Sequence, residues 1–376
     1  MSEETTSTRR TVLKTGAGLA VGGALAGCAS DGESGENGTE DGSYTVEMAP
    51  AGEVSFEEPP EAVTHYFPDY GDMAVALGHG DSILSMGLPS RFHTDHYDEL
   101  DGVSVDTGSL TKLNGKGGNI DKETFYSLDG DLHMIDPQWL VNNTAFGLKA
   151  DDVEELEKQV APFIGNTIFR RTDGWHSYRY YSLYEAFEKV AKVHQERERF
   201  ESLKSFHDEF IASVQADLPP ADSRPNALLT FAASNEPEKF YPYRVSDEGT
   251  NKKHFHDLGI TDALAGTGVE GLSTTDRGQI DYETMLQVDP DSILVRGHEG
   301  KSRAEFETTV LSFMHDHETA SELTAVQNGN VFRGGPIYAG PLHNLFLTER
   351  YATGYFPEAF SGELFDRDEL AGIITN

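Results

Sequence analysis

Arginine and aromatic side chains recur in this sequence at the points where predicted strands end. Arginine forms paired hydrogen bonds to carboxylates and other oxygen anions, whereas tyrosine and tryptophan offer a flat apolar surface with a polar edge. Lysine and arginine number only 29 against 64 acidic residues, so the recurrence stands out, although any one arginine could equally form a surface ion pair. As a set, these side chains favour a bulky, polar, anionic ligand. The candidate ligand-binding residues are Tyr66, Tyr70, Arg91, Trp175, Tyr178, Tyr241, Arg244, Arg296 and Tyr338.

Other kinds of chemistry have weaker support. The 14 histidines include near pairs such as His93 with His96, but none has the His-Glu-x-x-His spacing of a zinc site, and the single cysteine adds little. A bare metal ion held by His65, Tyr66 and Asp69 is the less favoured alternative, and we predict no resident metal and no cofactor. The sequence has no Gly-x-Ser-x-Gly elbow, no phosphate-binding loop and no Gly-x-Gly-x-x-Gly after a predicted strand, so we expect no enzymatic activity.

The elements that must position these side chains are organised around a stretch that occurs twice. Residues 120–131 and 280–291 are identical at six of twelve positions and lie 160 residues apart. In each copy an aspartate (Asp121, Asp281) is suited to cap a short helix, a glutamate follows in the first turn, and an acidic turn leads into an apolar strand. Such units are common in α/β proteins, but matched spacing in both halves indicates two related lobes.

The first 60 residues predict export, an anchor and a tether. Residues 8–14 contain paired arginines, as in a twin-arginine signal, and an apolar run of about thirteen residues follows that is too short to span a bilayer. The run ends in Leu-Ala-Gly-Cys, so residues 1–28 resemble a lipoprotein signal in which Cys28 receives lipid. Residues 29–60 begin with Gly, Ser, Asp and Glu and are predicted to form a flexible acidic tether.

Strands that alternate with helices through the rest of the chain predict an α/β fold with parallel sheets. The linking run has no Pro or Gly and repeats apolar residues at helical spacing, although a break near His194 would divide it. Short strands are also predicted at 103–106 and 167–169. The predicted parts are an N-terminal α/β lobe at 61–181, a linking helix at 182–218 and a C-terminal α/β lobe at 219–376.

Several further marks are specific enough to name a family. They are the lipoprotein start, the repeated unit, the long linking run, Leu258-Gly259-Ile260, and the segments 323–332 and 357–360. With these marks the chain resembles, from Val63 to Phe360, the helical-backbone (class III) substrate-binding proteins of ABC importers for iron–siderophores, haem and cobalamin. The resemblance implies two Rossmann-like lobes with parallel sheets, one long rigid helix between them, and a ligand cleft between the lobes.

The resemblance also implies partners. It implies a ferric siderophore as ligand, with cobalamin or haem as the alternative, and delivery to an ABC permease and its ATPase at the outer face of the cell membrane. One acidic residue at the tip of each lobe would dock on the permease, and the matching positions are Glu123 and Glu283. Gly130 stands where the family usually has proline, so a two-residue slip would instead give the first role to Asp121. We expect a monomer that meets the membrane only through its lipid.

The formal charge of −35 disfavours nucleic acid and anionic membrane surfaces as partners. The acidic residues are spread along the chain rather than gathered in one tail. This spread suggests a solvated acidic shell, as in proteins from high-salt environments, where ions screen the self-repulsion. An acidic surface for a basic partner fits the spread less well.

Replacing the predicted lipid-carrying residue tests the anchor. Cys28→Ser removes the only thiol that lipid could modify, so the protein should move from the membrane fraction to the medium. Fractionation and immunoblotting of cells that express either form would measure the shift. Unchanged membrane retention of the variant would contradict the lipoprotein assignment.

Overall fold

The computed structural model of the protein describes residues 42–269 and 278–376. The predicted signal, Cys28 and residues 29–41 of the predicted tether lie outside the described residues. Within them, the chain forms an N-terminal hairpin, two α/β lobes and two helices that link the lobes. None of the helices described is long and apolar enough to cross a membrane.

The hairpin precedes the first lobe. Strands β1 (Tyr44–Met48) and β2 (Gly52–Phe56) pair in antiparallel fashion along their whole length. The Tyr44 hydroxyl donates to the carbonyl of Val193 at 2.5 Å, which ties the hairpin to the linking helices. The prediction of a flexible tether over 29–60 is therefore wrong for this part, because one apolar face is buried and offsets the ordering entropy. That face consists of Val46, Met48, Val54 and Phe56.

The N-terminal lobe is built on a four-stranded sheet whose pairings are all parallel. Its elements are β3 (Val63–His65), α1 (Pro68–Ala76), β4 (Ile83–Met86), β5 (Thr111–Lys112), α2 (Lys122–Leu128), β6 (Leu132–Met134), α3 (Pro137–Asn142) and α4 (Ala150–Gln159). The strand order is β5-β4-β3-β6, with Val63 opposite both Ile83 and Leu132. All residues of β3 and β6 are buried, as expected for parallel strands covered by helices.

Two strands predicted in this lobe are wrong. The strand that pairs with β4 is β5, and the predicted strand at 103–106 does not form. At its start the N–H of Val103 donates to the carbonyl of Leu100 at 3.1 Å, in a turn. Residues 167–169 are irregular because Asp136 Oδ2 accepts both the N–H and the hydroxyl of Thr167, each at 2.8 Å. A backbone N–H bound to a side chain in this way cannot pair with a neighbouring strand.

The linking run is two helices rather than one rigid helix. Helix α5 (Leu183–His194) begins with a capping box between Ser182 and Glu185, and α6 (Arg197–Asp217) follows. The break falls at Gln195, which adopts a left-handed conformation (φ 57°, ψ 30°). The predicted alternative of a break near His194 is confirmed.

The C-terminal lobe repeats the architecture with one change. Its elements are β7 (Asn226–Phe231), β8 (Tyr241–Tyr243), α7 (Lys253–Asp257), β9 (Thr261–Asp262), α8 (Tyr282–Val288), β10 (Ser292–Arg296), α9 (Arg303–Phe306), α10 (Ser312–Asp316), α11 (Thr324–Gln327), β11 (Val331–Arg333), α12 (Pro341–Tyr355) and α13 (Arg367–Thr375). The order is β11-β10-β7-β8, with β9 also beside β7. All pairs are parallel except β8 with β7, where Leu229 lies opposite Tyr243.

The two copies of the repeat adopt the same structure. Helices α2 and α8 are capped by Asp121 and Asp281, and each ends at an aspartate in the left-handed region, with φ of 48° and 45°. The last residue of each copy then accepts N–H groups at the start of the neighbouring strand. Asp131 accepts from Ala62 at 3.0 Å, and Asp291 accepts from Asn226 at 2.9 Å. Gly130 and Pro290 occupy the same place, so the two copies align without a slip.

The last two helices bind the lobes together. Leu342 and Leu345 of α12, and Leu370 and Ile374 of α13, belong to the hydrophobic core that contains α1, α5 and α6. Most of the second lobe's sheet and the helices beside it form a separate core. Helix α12 also packs on α7 of the second lobe, where the Tyr351 ring lies 5.2 Å from His254 and 4.8 Å from Phe255, so it contacts both halves.

Candidate ligand site

The carboxyl ends of the parallel strands lead to residues predicted to bind ligand. Tyr66 follows β3, Arg91 lies beyond β4, and Tyr338 lies beyond β11. Ligands of open parallel sheets bind beyond these ends. The candidate site is therefore the space where these edges of the two lobes meet.

An aromatic cluster forms the N-terminal side of this site. The ring centroid of Tyr66 lies 5.0 Å from Phe67, 6.0 Å from Trp139 and 5.4 Å from Phe146. Asn114 donates its side-chain N–H to the Tyr66 hydroxyl at 3.1 Å. Burial raises the pKa of Tyr66, so the hydroxyl is neutral at physiological pH.

Tyr338 brings the second lobe into the aromatic cluster. Its ring centroid lies 5.7 Å from Phe67 and 4.8 Å from Phe169. Burial raises the pKa of both Tyr66 and Tyr338, and the positive charge of Arg91 opposes the rise at both. Arg91 is half-buried, and its side chain has no hydrogen bond or ion pair within the described part of the chain.

Trp175 and Tyr178 lie in the segment that leads to α5. The Trp175 ring is 6.3 Å from Trp139 and extends the aromatic cluster, while Tyr178 lies 6.4 Å from Trp175. The Tyr178 hydroxyl donates to Asp136 Oδ2 at 2.6 Å. The buried carboxylate therefore fixes this ring, and only its half-exposed face is open to a ligand.

Two predicted ligand residues lie in the core instead. Tyr70 is fully buried, and its hydroxyl both donates to the carbonyl and accepts from the N–H of Asn166, at 3.1 and 3.0 Å. Arg296 is 2% exposed and donates to the carbonyls of Gly334 at 3.2 Å and Asn251 at 2.7 Å. Both side chains tie backbone segments together, and neither presents a free surface to a ligand.

Tyr241 and Arg244 lie half-buried in the second lobe. Arg244 donates to the carbonyl of Val269 at 3.3 Å and lies 3.9 Å from a carboxylate oxygen of Asp262. No contact among the described residues joins either side chain to the aromatic cluster. Their position keeps them as candidates for the opposite side of the site.

Arg170 is the main residue missing from the predicted set. Its guanidinium carbon lies 5.2 Å from the ring centroids of both Trp139 and Phe169, and its edge binds both carboxylate oxygens of Asp173 at 2.6 and 2.7 Å. Its place after an apolar segment marks it as a candidate. The sequence does not say which of Arg170 and Arg171 turns toward the rings.

Comparison with known proteins agrees with this architecture. A family model described as periplasmic binding protein matches residues 63–338. The chain belongs to this family. Its members are substrate-binding proteins of iron- and siderophore-type ABC transporters that act outside the cytoplasm, and they are not enzymes. No curated protein matches the chain.

Solved structures share the fold at low identity. The iron-uptake ABC transporter substrate-binding protein PiuA from Streptococcus pneumoniae has a TM-score of 0.55 at 17% identity, over 81% of this chain and 96% of that chain. An ABC-type Fe3+-hydroxamate transport protein from Saccharomonospora viridis has a TM-score of 0.54 at 17% identity, over 83% and 98%. The petrobactin-binding protein YclQ from Bacillus subtilis has a TM-score of 0.52 at 15% identity, over 89% and 97%.

The two predicted docking glutamates lie at the same edge as the candidate site. Glu123 and Glu283 are exposed in the first turns of α2 and α8. Each helix precedes a parallel strand and runs opposite to it, so its first turn lies where the strands end. Asp121 accepts the N–H of Glu123 at 3.1 Å and is used as a cap. Of the two candidate docking residues, Asp121 is engaged as the cap of α2, whereas the exposed Glu123 side chain remains available for docking.

A buried carboxyl group lies in the first turn of α1. Asp69 is 1% exposed, and its Oδ2 has no hydrogen-bond partner among the described residues. Burial raises the pKa of Asp69 to about 7, and the nearby Asp72 carboxylate adds to the rise. The folded protein therefore keeps this proton up to about pH 7, whereas the unfolded chain releases it near pH 4.

The buried proton predicts a pH dependence of stability. Because the pKa of Asp69 is higher in the folded protein than in the unfolded chain, the protonated carboxyl group contributes to the free energy of unfolding. This contribution is fully present below about pH 4 and is lost as pH rises to about 7. Asp69→Asn stays neutral, so the decrease in unfolding free energy from about pH 5 to about pH 8 should be about 2–3 kcal/mol smaller than in wild type. Urea unfolding at both pH values measures this decrease.

Asp98 is exposed, so Asp98→Asn should show the same decrease in unfolding free energy as wild type. The same decrease in Asp69→Asn would contradict the raised pKa of Asp69.

Proposed function

We propose that this protein captures a ferric siderophore outside the cytoplasm and delivers it to an ABC permease. One observation carries the proposal. The half-buried Arg91 side chain has no partner among the described residues and lies beyond β4, at the edge where Tyr338 of the second lobe packs on Phe67 of the first. In a chain with 64 acidic residues, an arginine kept free of carboxylates is suited to an external anion.

The chemistry of the aromatic cluster supports a ferric chelate. A siderophore presents oxygen donors around the iron and apolar or aromatic surface elsewhere. A guanidinium satisfies such oxygens, and the rings around Trp139 and Trp175 provide a flat apolar surface. The structural relatives are named for iron uptake, for Fe3+-hydroxamate transport and for petrobactin binding, and these names support the same ligand class.

The proposed ligand-binding residues come from both lobes. Tyr338 packs on Phe67 and Phe169, so a bulky ligand would have to move this ring and part the lobes around it. We infer that ligand takes the place of Tyr338 against the aromatic cluster, and that closure around it presents both docking glutamates to the permease. The proposed ligand-binding residues are Tyr66, Arg91, Arg170, Trp175, Tyr178, Tyr241, Arg244 and Tyr338.

Cobalamin or haem is the second candidate. The extended set of rings from Tyr66 to Trp175 would also fit a flat macrocycle. A macrocycle would depend mainly on the rings and less on Arg91. The effect of Arg91 on affinity therefore separates the two candidates.

Ligand identity is tested by titration of the protein that lacks residues 1–28. The only tryptophans are Trp139 and Trp175, both in the aromatic cluster, so ligand should quench intrinsic fluorescence. Ferric siderophores should quench it, and cobalamin and haem should not. Arg91→Ala should weaken siderophore binding about 10- to 100-fold, since a charged hydrogen bond contributes about 1.5–3 kcal/mol.

Arg303→Ala provides the matched control for that experiment. Arg303 is exposed on α9 and pairs with Glu307 at 2.7 Å, so its loss should leave the affinity unchanged. Tight cobalamin or haem binding without siderophore binding would refute the proposed ligand. Wild-type affinity in Arg91→Ala would show that the residues named here are not the ligand contacts.

Delivery to the permease is tested by removing both docking carboxylates. The double variant Glu123→Ala/Glu283→Ala should bind ligand as wild type does and lose uptake, because both carboxylates are exposed in first turns and lie outside the proposed ligand contacts. Uptake of labelled ligand by cells measures the effect. The pair Glu209→Ala/Glu318→Ala removes equal charge from exposed sites elsewhere and should transport normally. Normal uptake in the Glu123→Ala/Glu283→Ala variant would contradict the assignment of these residues to permease docking.

A further inference from the structure

A surface motif of the first lobe takes no part in the proposed ligand contacts. Asn142-Asn143-Thr144 is an Asn-x-Thr sequon, the acceptor motif for an N-linked sugar. The chain has a second sequon at Asn37, which lies outside the described residues. A sequon is a surface feature of proteins that act outside the cytoplasm, as the members of this family do. Its exposure in the folded protein therefore decides whether the asparagine can accept a sugar.

The sequon lies where α3 ends. Asn142 is the last residue of this helix, and Asn143 leaves the helical conformation with φ −88° and ψ 94°. Asn142 is partly exposed, and Thr144 is exposed. The Thr144 hydroxyl has no hydrogen-bond partner within the described ranges. The amide and the hydroxyl that define the motif are therefore both at the surface.

The Asn142 amide can exchange one N–H for a sugar and keep its shorter hydrogen bond. Its Nδ2 donates to the carbonyl of Gln138 at 2.8 Å and to the side-chain oxygen of Gln138 at 3.2 Å. A primary amide has two N–H donors, and an attached sugar replaces one of them. Because both residues are exposed to solvent, water takes the place of the longer bond, and its loss costs little.

A groove beside α3 provides room for the attached sugar. The groove has a volume of about 230 Å³ and is lined by the hairpin turn, α3 and α4. Gln138, which accepts from the Asn142 amide, is one of its lining residues. The walls combine the apolar side chains of Val141 and Val153 with the carboxylate of Glu154. A sugar ring has C–H groups for such apolar walls and hydroxyl groups that donate to a carboxylate.

We propose that Asn142 carries an N-linked sugar in the protein outside the cytoplasm. In the transfer, Nδ2 of Asn142 forms a bond to the anomeric carbon of a sugar that is carried on a lipid phosphate. The bond between that carbon and the phosphate oxygen breaks, the phosphate leaves with the electron pair, and the amide loses one proton. The attached sugar then covers the groove beside α3. The proposal does not rest on the siderophore assignment.

Peptide mass spectrometry tests the proposal on the full chain, purified in detergent from the cells that produce it naturally. Trypsin cleaves after lysine and arginine, so residues 123–149 form one peptide with a single sequon. This peptide should carry the additional mass of a sugar chain, and fragmentation should place that mass on Asn142. A sugar on Asn37 would appear in a different peptide.

Three variants produced in the same cells identify the acceptor. Asn142→Gln removes the acceptor amide and Thr144→Val removes the hydroxyl, so peptide 123–149 should lose the sugar mass in both. Asn143→Gln is the matched control, because it changes the neighbouring amide, keeps an Asn-x-Thr sequon and should still carry the sugar. Thermal unfolding checks that the variants fold. If one variant does not fold, the wild-type peptide and the other variants still decide.

Several results would overturn the proposal. They are an unmodified peptide 123–149 in the wild-type protein, a sugar on another residue of that peptide, an unchanged sugar mass in Thr144→Val, and loss of the sugar in folded Asn143→Gln. A ferric siderophore titration of the wild-type protein reports on the aromatic cluster instead. A failure of the sugar proposal is therefore distinguishable from a failure of the siderophore proposal.

Discussion

The carboxylate of Asp72 holds the two halves of this protein together at one point. It is 2% exposed, and its Oδ2 accepts the N–H groups of Leu342 and His343 at 2.9 and 3.1 Å, so a residue of α1 caps α12 from 270 positions away. The first N–H groups of a helix lack partners within it, and a negative charge there is favourable. Tyr97 donates to the other oxygen at 2.5 Å. Burial raises the pKa of Asp72, but His96, whose ring nitrogen lies 3.5 Å from Oδ1, and the Tyr97 hydroxyl outweigh it and hold this pKa below its usual value.

Two chemically different places follow from that contact. The turn before α12 rests on α1, with Tyr338 on one side and His343 on the other. Tyr338 reaches the aromatic cluster, where its ring packs on Phe67 and Phe169. His343 lines a separate cavity whose walls also include His96, Glu299 and Arg333. One buried carboxylate thus fixes the turn that carries Tyr338 and His343 to these two places.

The duplicated unit gives both lobes the same local construction. Asp131 and Asp291 accept N–H groups at the start of the neighbouring central strand, which fixes the registers of β3 with β6 and β7 with β10. Helices α2 and α8 then run back to the edge where the strands end. Two exposed glutamates, Glu123 and Glu283, therefore occupy equivalent positions in the two lobes, at the edge of the candidate site. The lobes are related in this unit but differ in β8, which is antiparallel.

The sequence by itself determined the lobes, the repeat and most elements, because these depend on local signals. Period-two and helical spacing, capping aspartates and turn residues act within a few positions, so the caps at Asp121 and Asp281 and the break near His194 were foreseeable. The hairpin was missed because its acidic composition concealed an alternating apolar face. Only the tertiary structure decided the sites. Tyr70 and Arg296 have suitable chemistry, but their hydrogen bonds to Asn166, Gly334 and Asn251 come from segments distant in sequence. The hydrogen bonds between Asp72 and α12, and the lack of a described partner for the Arg91 side chain, likewise depend on which residues distant in sequence fold beside them. Local sequence spacing does not specify those contacts.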